Sequence, residues 1–242
     1  MTATKKTVLI TGSTRSIGLA LAEHYTKKGW NVIGTTRANS NTDKLLALSP
    51  FKTVMLDTTD ESSVIAATRQ LEGVPIDLLI NNAGIYSPDS LKSVTKDAFM
   101  QQFEVNAVGP FLVTRALLPN LMLAAKSRGT ATVAQVSSLL GSIGANTSDT
   151  TEFFGRSYAY APSKAALNMV TRSMSVELHD NNIVFVTLNP GYVDTDMSAH
   201  QGYLQPSESA EAMAAIVASV SMEDTGKFYN ADKTYGGLDL PW

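Results

Sequence analysis

The sequence predicts an α/β protein in which a doubly wound, mostly parallel sheet of about seven strands carries helices on both faces. Short runs of β-branched residues alternate with longer stretches of helical periodicity along all 242 residues. Several of the short runs are apolar on both alternating faces, as in parallel strands that are covered on both sides. No internal repeat or linker interrupts this alternation, so we expect a single domain spanning residues 1–242.

The predicted elements follow one another in strand–helix pairs. The strands are the β-branched runs "TVLIT" (7–11), "NVIGTT" (31–36), "KTVMLD" (52–57), "IDLLI" (76–80), "ATVAQVS" (131–137), "IVFVTLN" (183–189) and "GKFYN" (226–230). The helices are the periodic stretches after the first six strands, at 17–29, 42–48, 60–72, 97–125, 158–180 and 208–220.

Two stretches depart from this regular pattern. Pro110 lies inside the fourth predicted helix and has no N–H, so the carbonyl of Asn106 loses its helical partner and we expect a kink there. Residues 141–157, "GSIGANTSDTTEFFGRS", form a long polar stretch between two elements. This stretch is either a functional loop or an insertion.

The composition excludes several classes of function. The net charge is −3 and no long basic run is present, so nucleic acid and anionic membranes are not expected partners. No apolar run approaches the ~20 residues of a membrane helix. The N-terminus lacks signal-peptide features and the chain has no cysteine, so we expect a cytoplasmic protein without disulfides or a thiol nucleophile. The scattered His24, His179 and His200 belong to no acid–base motif, so we expect surface positions and no metal site.

Three polar motifs follow predicted strands, at the sheet edge where doubly wound folds bind ligands. "TGSTRSIG" (11–18) opens the first helix, Asp57 ends the third strand, and "NNAG" (81–84) ends the fourth. A glycine turn at a helix N-terminus presents backbone N–H groups to an anion. The spacing of the two glycines in "TGSTRSIG" differs from that of the broad dinucleotide fingerprint. Taken alone, this motif is equally consistent with a simple strand–helix turn, and "NNAG" is consistent with a simple polar turn.

The stretch "YAYAPSKAAL" (158–167) reads as a helix that places Tyr160 and Lys164 on one face and turns Tyr158 away. A phenol has a pKa near 10, and a cation one helical turn away lowers that pKa because it favours the phenolate. The pair therefore suits proton donation to a carbonyl oxygen. On the spacing alone, an incidental neighbour pair on an exposed helix is the better interpretation.

Taken in order, the motifs resemble the short-chain dehydrogenase/reductase family over essentially the whole chain. The series is "TGSTRSIG", Asp57, "NNAG", Asn106, "VSS" (136–138), Tyr160 with Lys164, and "NPGYVDT" (189–195). The ending "GGLDLPW" and the stretch "SSLLGSIGAN" look most like the C-factor and sniffer-type carbonyl reductase branch. The resemblance implies a single-domain Rossmann fold and a reversible, NADPH-dependent reduction of a small-molecule aldehyde or ketone to an alcohol.

The resemblance also implies roles for individual residues. Tyr160 would give the proton, Ser138 would orient the substrate oxygen, Lys164 would hold a ribose hydroxyl, and the carbonyl of Asn106 would hold a water that completes a proton relay. The residues that would bind the cofactor are Gly12, Thr14, Arg15, Ser16, Ile17, Gly18, Arg37, Asp57, Thr58, Asn82, Ala83, Gly84, Tyr160, Lys164, Pro190, Gly191, Val193 and Thr195.

The identity of the nicotinamide cofactor follows from the end of the second strand. Thr36 stands where an acid would bind the ribose 2′-hydroxyl of NAD, and Arg37 follows it. With Arg15 as a second cation, the resemblance implies NADP(H), whereas the alternative is two solvated surface arginines. Ser16 stands where the family usually has glycine, and its Cβ would crowd the approach of a phosphate.

The loop before the helix that carries Tyr160 and Lys164 is unusually long. Ser138 and Tyr160 lie further apart than is usual in the family, so the stretch 141–157 enlarges the loop beside the active site. Phe153 and Phe154 give it an apolar tip, which we expect to wall the cleft and to favour apolar carbonyls. A homodimer through the long helices is the family default.

Two other functions stay open: a low-turnover NAD(P)-binding signalling or sensor protein, and a sugar-nucleotide epimerase or dehydratase, which usually carries a longer C-terminal region.

Overall fold

Seven short strands form the centre of the molecule. They are β1 (Thr7–Ile10), β2 (Asn31–Thr36), β3 (Lys52–Met55), β4 (Leu78–Asn81), β5 (Ala131–Val136), β6 (Ile183–Asn189) and β7 (Lys227–Asn230). The computed structural model describes residues 5–154, 157–234 and 236–242, without the side chains of Glu152 and Phe153. All seven strands are parallel and lie in one sheet in the order β3-β2-β1-β4-β5-β6-β7. The predicted doubly wound sheet is therefore confirmed.

The helices cover both faces of this sheet. They are α1 (Ser16–Lys27), α2 (Asp43–Ala47), α3 (Glu61–Arg69), α4 (Lys96–Phe103), α5 (Gly109–Arg128), α6 (Thr151–Phe154), α7 (Tyr160–Glu177) and α8 (Pro206–Ser219). Alternate strand residues face opposite sides because the side-chain period of a strand is two. Val8 and Ile10 pack with α1, α2 and α8, whereas Leu9 packs with α3, α5 and α7.

The position of β1 determines where a ligand can bind. β1 pairs with both β2 and β4, so the chain leaves towards one edge of the sheet and returns to build the other. In such folds the crevice at this switch point, outside the carboxyl ends of the strands, is the ligand site. The segments that follow β1, β4, β5 and β6 therefore meet at one edge. They carry all the predicted motifs except Arg37 and Asp57, which follow β2 and β3.

The long helix predicted at 97–125 is three helical segments in sequence. A π-helical turn, Glu104–Val108, separates α4 from α5, and Pro110 is the second residue of α5. The N–H of Gly109 bonds the carbonyl of Glu104, five residues back. Because Pro110 cannot donate a hydrogen bond, the backbone widens into a π turn around Asn106. The stretch Lys96–Arg128 is long and apolar enough to cross a membrane by length and composition alone, but half of its most apolar window is buried within the protein.

The polar stretch at 141–157 is partly structured. It contains the short helix α6, and two 3₁₀ turns begin at Leu139 and Ser148. Residues 155 and 156 and the Phe153 side chain lie outside the described residues. Phe154 is buried. It lines a cavity of about 430 Å³ against α7, and none of the four predicted catalytic residues lines that cavity.

Candidate active site

The turn after β1 closes around two glycines. Gly12 has a φ of +67°, and a Cβ on it would lie 3.2 Å from the Cα of Ala83. A Cβ on Gly18 would lie 2.2 Å from the carbonyl oxygen of Gly12. No side chain fits at such a distance, so glycine at position 18 is required for the turn to fold back on the helix.

Ser16 occupies a backbone conformation that normally favours glycine. Its φ is +50°, and it is the first residue of α1. The expected cost of a Cβ here was crowding against a phosphate, but the structure adds a left-handed backbone as a second cost. Thr14, two residues before it, and Ile17, the residue after it, are both half-buried. No side chain caps α1 in the described chain, so the backbone N–H groups of its first turn fit a phosphate group.

The "NNAG" motif braces this turn. The Thr11 hydroxyl accepts hydrogen bonds from the N–H groups of Asn82 (2.9 Å) and Ala83 (3.0 Å). The Asn82 side chain donates to the carbonyls of Thr11 (2.9 Å) and Gly12 (3.3 Å). The first and fourth strands therefore end in one rigid unit. Thr11 was not among the predicted site residues, although it is the first letter of the predicted motif.

Both predicted phosphate-binding arginines lie near a carboxylate. The Nη1 atom of Arg15 lies 2.6 Å from the Oδ2 atom of Asp196. Arg37 is exposed, and its charge helps to lower the pKa of the Asp57 carboxyl. The larger causes of that lowered pKa are hydrogen bonds from the backbone N–H and the hydroxyl of Thr59. Asp57 lies two residues beyond β3, because its N–H turns to the hydroxyl of Ser63.

Thr58, in the loop after β3, packs against the start of α5. It is buried, and a Cβ on Gly109 would lie 3.0 Å from its Cβ and its hydroxyl oxygen. This close approach fixes the start of α5 against the loop after β3. The packing explains the glycine immediately before Pro110.

Tyr160 is the first residue of α7 and lies buried beside Ser138. Burial raises the pKa of its phenol to about 12, and a hydrogen bond from the Ser138 side chain opposes this rise. The Tyr86 ring packs edge-on against it at 5.1 Å between ring centroids. Tyr158 is 40% exposed, as the helical spacing predicted. Of the two tyrosines, only Tyr160 faces the crevice.

Lys164 lies one helical turn further along α7 and is only 4% exposed. Its Nζ atom donates to the carbonyl of Val136, the last residue of β5, at 2.9 Å. Burial lowers the pKa of this ammonium group to about 8. The prediction that Lys164 lowers the pKa of Tyr160 below its usual value is therefore wrong. Desolvation raises the phenol pKa, and the ammonium group points to the end of the strand.

Asn106 is fully buried in the π turn. Its Oδ1 atom accepts from the N–H of Ile85 (2.9 Å), and its Nδ2 atom donates to the Ile85 carbonyl (2.9 Å) and to the Ser163 hydroxyl (3.0 Å). A Cβ on Gly84 would lie 3.2 Å from this Oδ1 atom and 3.6 Å from the Nζ atom of Lys164. Asn106 and Lys164 therefore meet at Gly84. The water relay through the Asn106 carbonyl stays a prediction.

The segment after β6 closes the other side of the crevice. Gly191 has a φ of +85°, and the Pro190 carbonyl accepts from the Ser209 hydroxyl of α8 at 2.7 Å. Val193 and Thr195 are buried, and Val193 pairs with Leu204 in an isolated parallel bridge. These contacts hold the segment in a fixed course beside the carboxyl end of β6.

His200 lies at the surface, as expected, and has two acidic partners in its own loop. Its Nδ1 atom lies 2.7 Å from Asp194 Oδ1 and its Nε2 atom 3.2 Å from Asp196 Oδ1. These bonds raise the pKa of His200. His200 and His179 are exposed and His24 is half-buried. Within the described ranges, no group of three or more His, Cys, Asp or Glu side chains could hold a metal ion.

Comparison with family models places the chain among known proteins. Residues 6–203 match the short chain dehydrogenase model. The chain belongs to this family. It is 40% identical over 169 residues to C-signal of Myxococcus xanthus, which covers 69% of this chain and 93% of that protein. It is 29% identical over 235 residues to 1-hydroxy-2-glutathionyl-2-methyl-3-butene dehydrogenase of Rhodococcus sp. strain AD45, which covers 95% and 98%.

Solved structures of short-chain dehydrogenases have the same architecture. The NADPH-bound carbonyl reductase from chicken fatty liver superposes with a TM-score of 0.88 at 30% identity, covering 98% of this chain and 94% of that one. Carbonyl reductase Sniffer of D. melanogaster gives a TM-score of 0.88 at 29% identity, covering 99% and 100%. The predicted likeness to the C-factor and sniffer-type branch is thus borne out.

Sequence reasoning missed the groups that hold the dehydrogenase site rigid. The Ser137 hydroxyl donates to Asn168 Oδ1 (2.7 Å), and the Asn168 amide donates to the Gly141 carbonyl (3.0 Å). Asn189 Oδ1 accepts from the N–H of Leu139 (2.9 Å). The turn that follows Ser138 is therefore clamped at both ends by buried asparagines. The available signal was polar residues at positions that the helix and strand patterns assign to the interior.

The start of α7 has a carboxylate cap that was also missed. Asp89 Oδ1 accepts from the N–H of Tyr158 at 2.6 Å, and Asp89 Oδ2 accepts from the N–H of Ala159 at 2.9 Å. The segment after β4 thus holds the N-terminus of the helix that carries Tyr160. The signal was indirect: α7 has no acidic residue in its first turn, so its cap had to come from elsewhere in the chain.

Proposed function

We propose that this protein is an NADPH-dependent carbonyl reductase that converts aldehydes or ketones to alcohols, reversibly. The observation that carries the proposal is the meeting of Ser138, Tyr160 and Lys164 at the carboxyl end of β5. The likeness to an NADPH-bound carbonyl reductase and to Sniffer supports the reaction class and the cofactor.

The cofactor would lie along the switch-point crevice. The turn with Gly12 and Gly18 and the uncapped start of α1 suit a diphosphate. Arg15 and Arg37 would bind the 2′-phosphate through their guanidinium groups. The segment with Val193 and Thr195 would hold the nicotinamide carboxamide.

The proposed chemistry moves one hydride and one proton. NADPH, when bound, supplies the hydride to the carbonyl carbon. The raised pKa of Tyr160, about 12, keeps its phenol protonated at neutral pH, so it can donate that proton to the carbonyl oxygen. Ser138 donates a hydrogen bond to the same oxygen as negative charge develops there. Lys164, with a pKa of about 8, is mostly protonated at pH 7, and its Nζ atom lies 5.8 Å from the centroid of the Tyr160 ring. Its charge would therefore favour the phenolate that remains after proton transfer, although desolvation outweighs it in the pKa of the phenol.

Replacement of the proposed proton donor tests the reaction. We expect purified protein to oxidise NADPH in the presence of aldehydes, ketones, quinones or diketones, and Tyr160→Phe to lower kcat by about 10²–10⁴-fold because no proton donor remains. Tyr158→Phe, two residues away and half-exposed, is the matched control and should keep wild-type turnover. Equal rates in Tyr160→Phe and wild type would contradict the proposed role.

A charge reversal at Arg37 tests the proposed NADP(H) preference. We expect Arg37→Asp to shift the NADPH-over-NADH preference towards NADH by roughly 10–100-fold, because it removes a charge-assisted bond to the 2′-phosphate and adds a repulsive charge. Arg69→Asp, an exposed arginine at the end of α3, is the control for the change in net charge. An unchanged ratio of kcat/KM values in Arg37→Asp would contradict the assignment.

One observation favours a second candidate, an NADP(H)-binding signalling protein with little turnover. The relative at 40% identity is named C-signal, and the match covers 93% of that protein. The two candidates differ in a simple measurement: a signalling protein would bind NADPH without oxidising it over the carbonyl panel. The presence of Asn106, Ser138, Tyr160 and Lys164 together favours the enzyme.

A further inference from the structure

An ion pair joins the two segments that flank the proposed cofactor crevice. Arg15, in the turn after β1, and Asp196, in the segment after β6, are 181 residues apart in sequence and 2.6 Å apart at Nη1 and Oδ2. Their side chains are 70% and 57% exposed, so both are accessible to a ligand that enters the crevice. Arg15 is also one of the two cations proposed to bind the cofactor 2′-phosphate.

The carboxylate of Asp196 is held by its own loop, independently of Arg15. Asp196 begins a 3₁₀ turn that the Thr195 N–H and the Ser198 hydroxyl close at 3.1 Å. Ala199 and His200 follow with φ values of +51° and +58°, which non-glycine residues adopt only when their surroundings hold them. The His200 ring then bonds the second carboxylate oxygen of Asp196. We therefore expect Asp196 to keep its position when Arg15 moves.

The side chain of Arg15 is free to exchange partners. It extends from the residue before α1 on a long, exposed stem. To bind a phosphate, its guanidinium must give up the Asp196 carboxylate. Arg37 has a carboxylate nearby as well, since its charge acts on Asp57. Each of the two cations proposed for the 2′-phosphate is thus partly neutralised by an acid.

We propose that Asp196 is a specificity-determining residue that competes with the 2′-phosphate for Arg15. The competition reduces the preference for NADP(H) over NAD(H), because NADH makes no demand on Arg15. This inference rests on the proposed function. An exposed ion pair of this kind changes an equilibrium by roughly 2- to 5-fold, and we expect an effect of that size on NADPH affinity.

Binding titrations of both reduced cofactors test the proposal. The dissociation constants of NADPH and NADH are measured by nucleotide fluorescence for wild type and Asp196→Asn. We expect Asp196→Asn to bind NADPH roughly 2- to 5-fold more tightly while its NADH dissociation constant stays unchanged. In an Arg15→Met background the same substitution should leave the NADPH dissociation constant unchanged, because the guanidinium group for which Asp196 and the 2′-phosphate compete is absent. Asp180→Asn is the control for the change in net charge, because Asp180 is exposed and lies beside His179 rather than Arg15.

The other outcomes overturn the proposal in distinguishable ways. Equal weakening of NADPH and NADH in Asp196→Asn would mean that the ion pair closes the crevice over any dinucleotide. Equal tightening of both, or an effect that persists without Arg15, would mean that Asp196 acts only as a distant negative charge. An unchanged NADPH affinity would overturn the inference alone. A wild-type protein that binds neither nucleotide would overturn the proposed function and the inference with it.

Discussion

Ser16 combines a strained backbone with a position at the proposed phosphate site. We expect Ser16→Gly to stabilise the protein by up to about 1 kcal/mol, because glycine adopts a φ of +50° without the Cβ penalty. Removal of the Cβ should also tighten NADPH binding, since a phosphate then approaches the start of α1 more closely. Urea unfolding and fluorescence titration measure the two effects.

The matched control is Ser49→Gly, because Ser49 has a φ of +52° and lies just after α2, outside the proposed site. It should give the same gain in stability and no change in NADPH affinity. If Ser16→Gly and Ser49→Gly changed NADPH binding alike, the role of the Ser16 side chain at the phosphate would be wrong.

Lys164 is a buried cation whose pKa is lowered from 10.5 to about 8. Between those two values the unfolded chain binds more protons than the folded one, so this group makes stability rise with pH across that window. Below pH 8 the fold carries the full cost of a buried charge. We therefore expect Lys164→Met to abolish turnover yet raise the free energy of unfolding at pH 7 by about 2 kcal/mol, after loss of the bond to Val136.

The pH dependence of the free energy of unfolding distinguishes the cost of the buried Lys164 charge from a general packing effect. The gain in Lys164→Met should shrink as the pH rises from 8 towards 10.5, as measured by urea unfolding at several pH values. Lys126→Met, at an exposed position of α5, should show no such trend. Destabilisation by Lys164→Met at pH 7 would show that the buried charge of Lys164 does not cost the fold stability.

At this scale the sequence predicts which residues face each other only when they are close along the chain. Tyr160 and Lys164 could be paired from helical spacing. The phenol pKa could not be predicted, because it depends on burial by Tyr86 and other residues far away in sequence. The partner of Arg15 is likewise set by a loop 181 residues away. The partners of His200 lie four and six residues away, and the turns of its own loop bring them together.

At the scale of elements, α7 depends on a carboxylate that it does not contain. Asp89 accepts hydrogen bonds from the N–H groups of Tyr158 and Ala159, the two residues before Tyr160. We expect Asp89→Ala to cost about 1–2 kcal/mol of stability, because those groups lose their acceptor. It should also lower kcat, since the first turn of α7 positions the phenol. Urea unfolding and steady-state kinetics provide the two readouts.

Asp60 supplies a matched cap on α3, where its side chain accepts from the N–H of Ser62. Asp60→Ala should cost a similar free energy of unfolding and leave kcat unchanged. A kcat that stayed at the wild-type value in Asp89→Ala, with the expected loss of stability, would show that the cap is structural only.

Most elements could be predicted because their periodicity is local. The strands and helices appear where the pattern places them, with ends shifted by a few residues. The π turn at Glu104–Val108 is an exception, because Pro110 predicts it only in part. The missing N–H of Pro110 predicts a disrupted helix, but not whether the backbone bends or widens. The short helix α6 has too few residues for periodicity to show.

At the scale of the whole molecule, the order of the strands positions the site. The strands from β1 to β3 are added towards one edge of the sheet and those from β4 to β7 towards the other. Motifs from distant parts of the sequence therefore converge on the crevice between β1 and β4. The sequence could predict this convergence because strand–helix alternation leaves few topologies open. It could not predict the distances between motifs, which depend on twist and packing. The homodimer through the long helices stays a prediction.

The most direct measurement follows hydride from cofactor to product. NADPH deuterated at both positions of the nicotinamide C4 is incubated with the protein and a mixed panel of aldehydes and ketones, and the alcohols are analysed by mass spectrometry. We expect an alcohol with a single deuterium on its carbinol carbon, and none above background with Tyr160→Phe. Tight binding of NADPH without any deuterated alcohol would contradict the carbonyl reductase assignment.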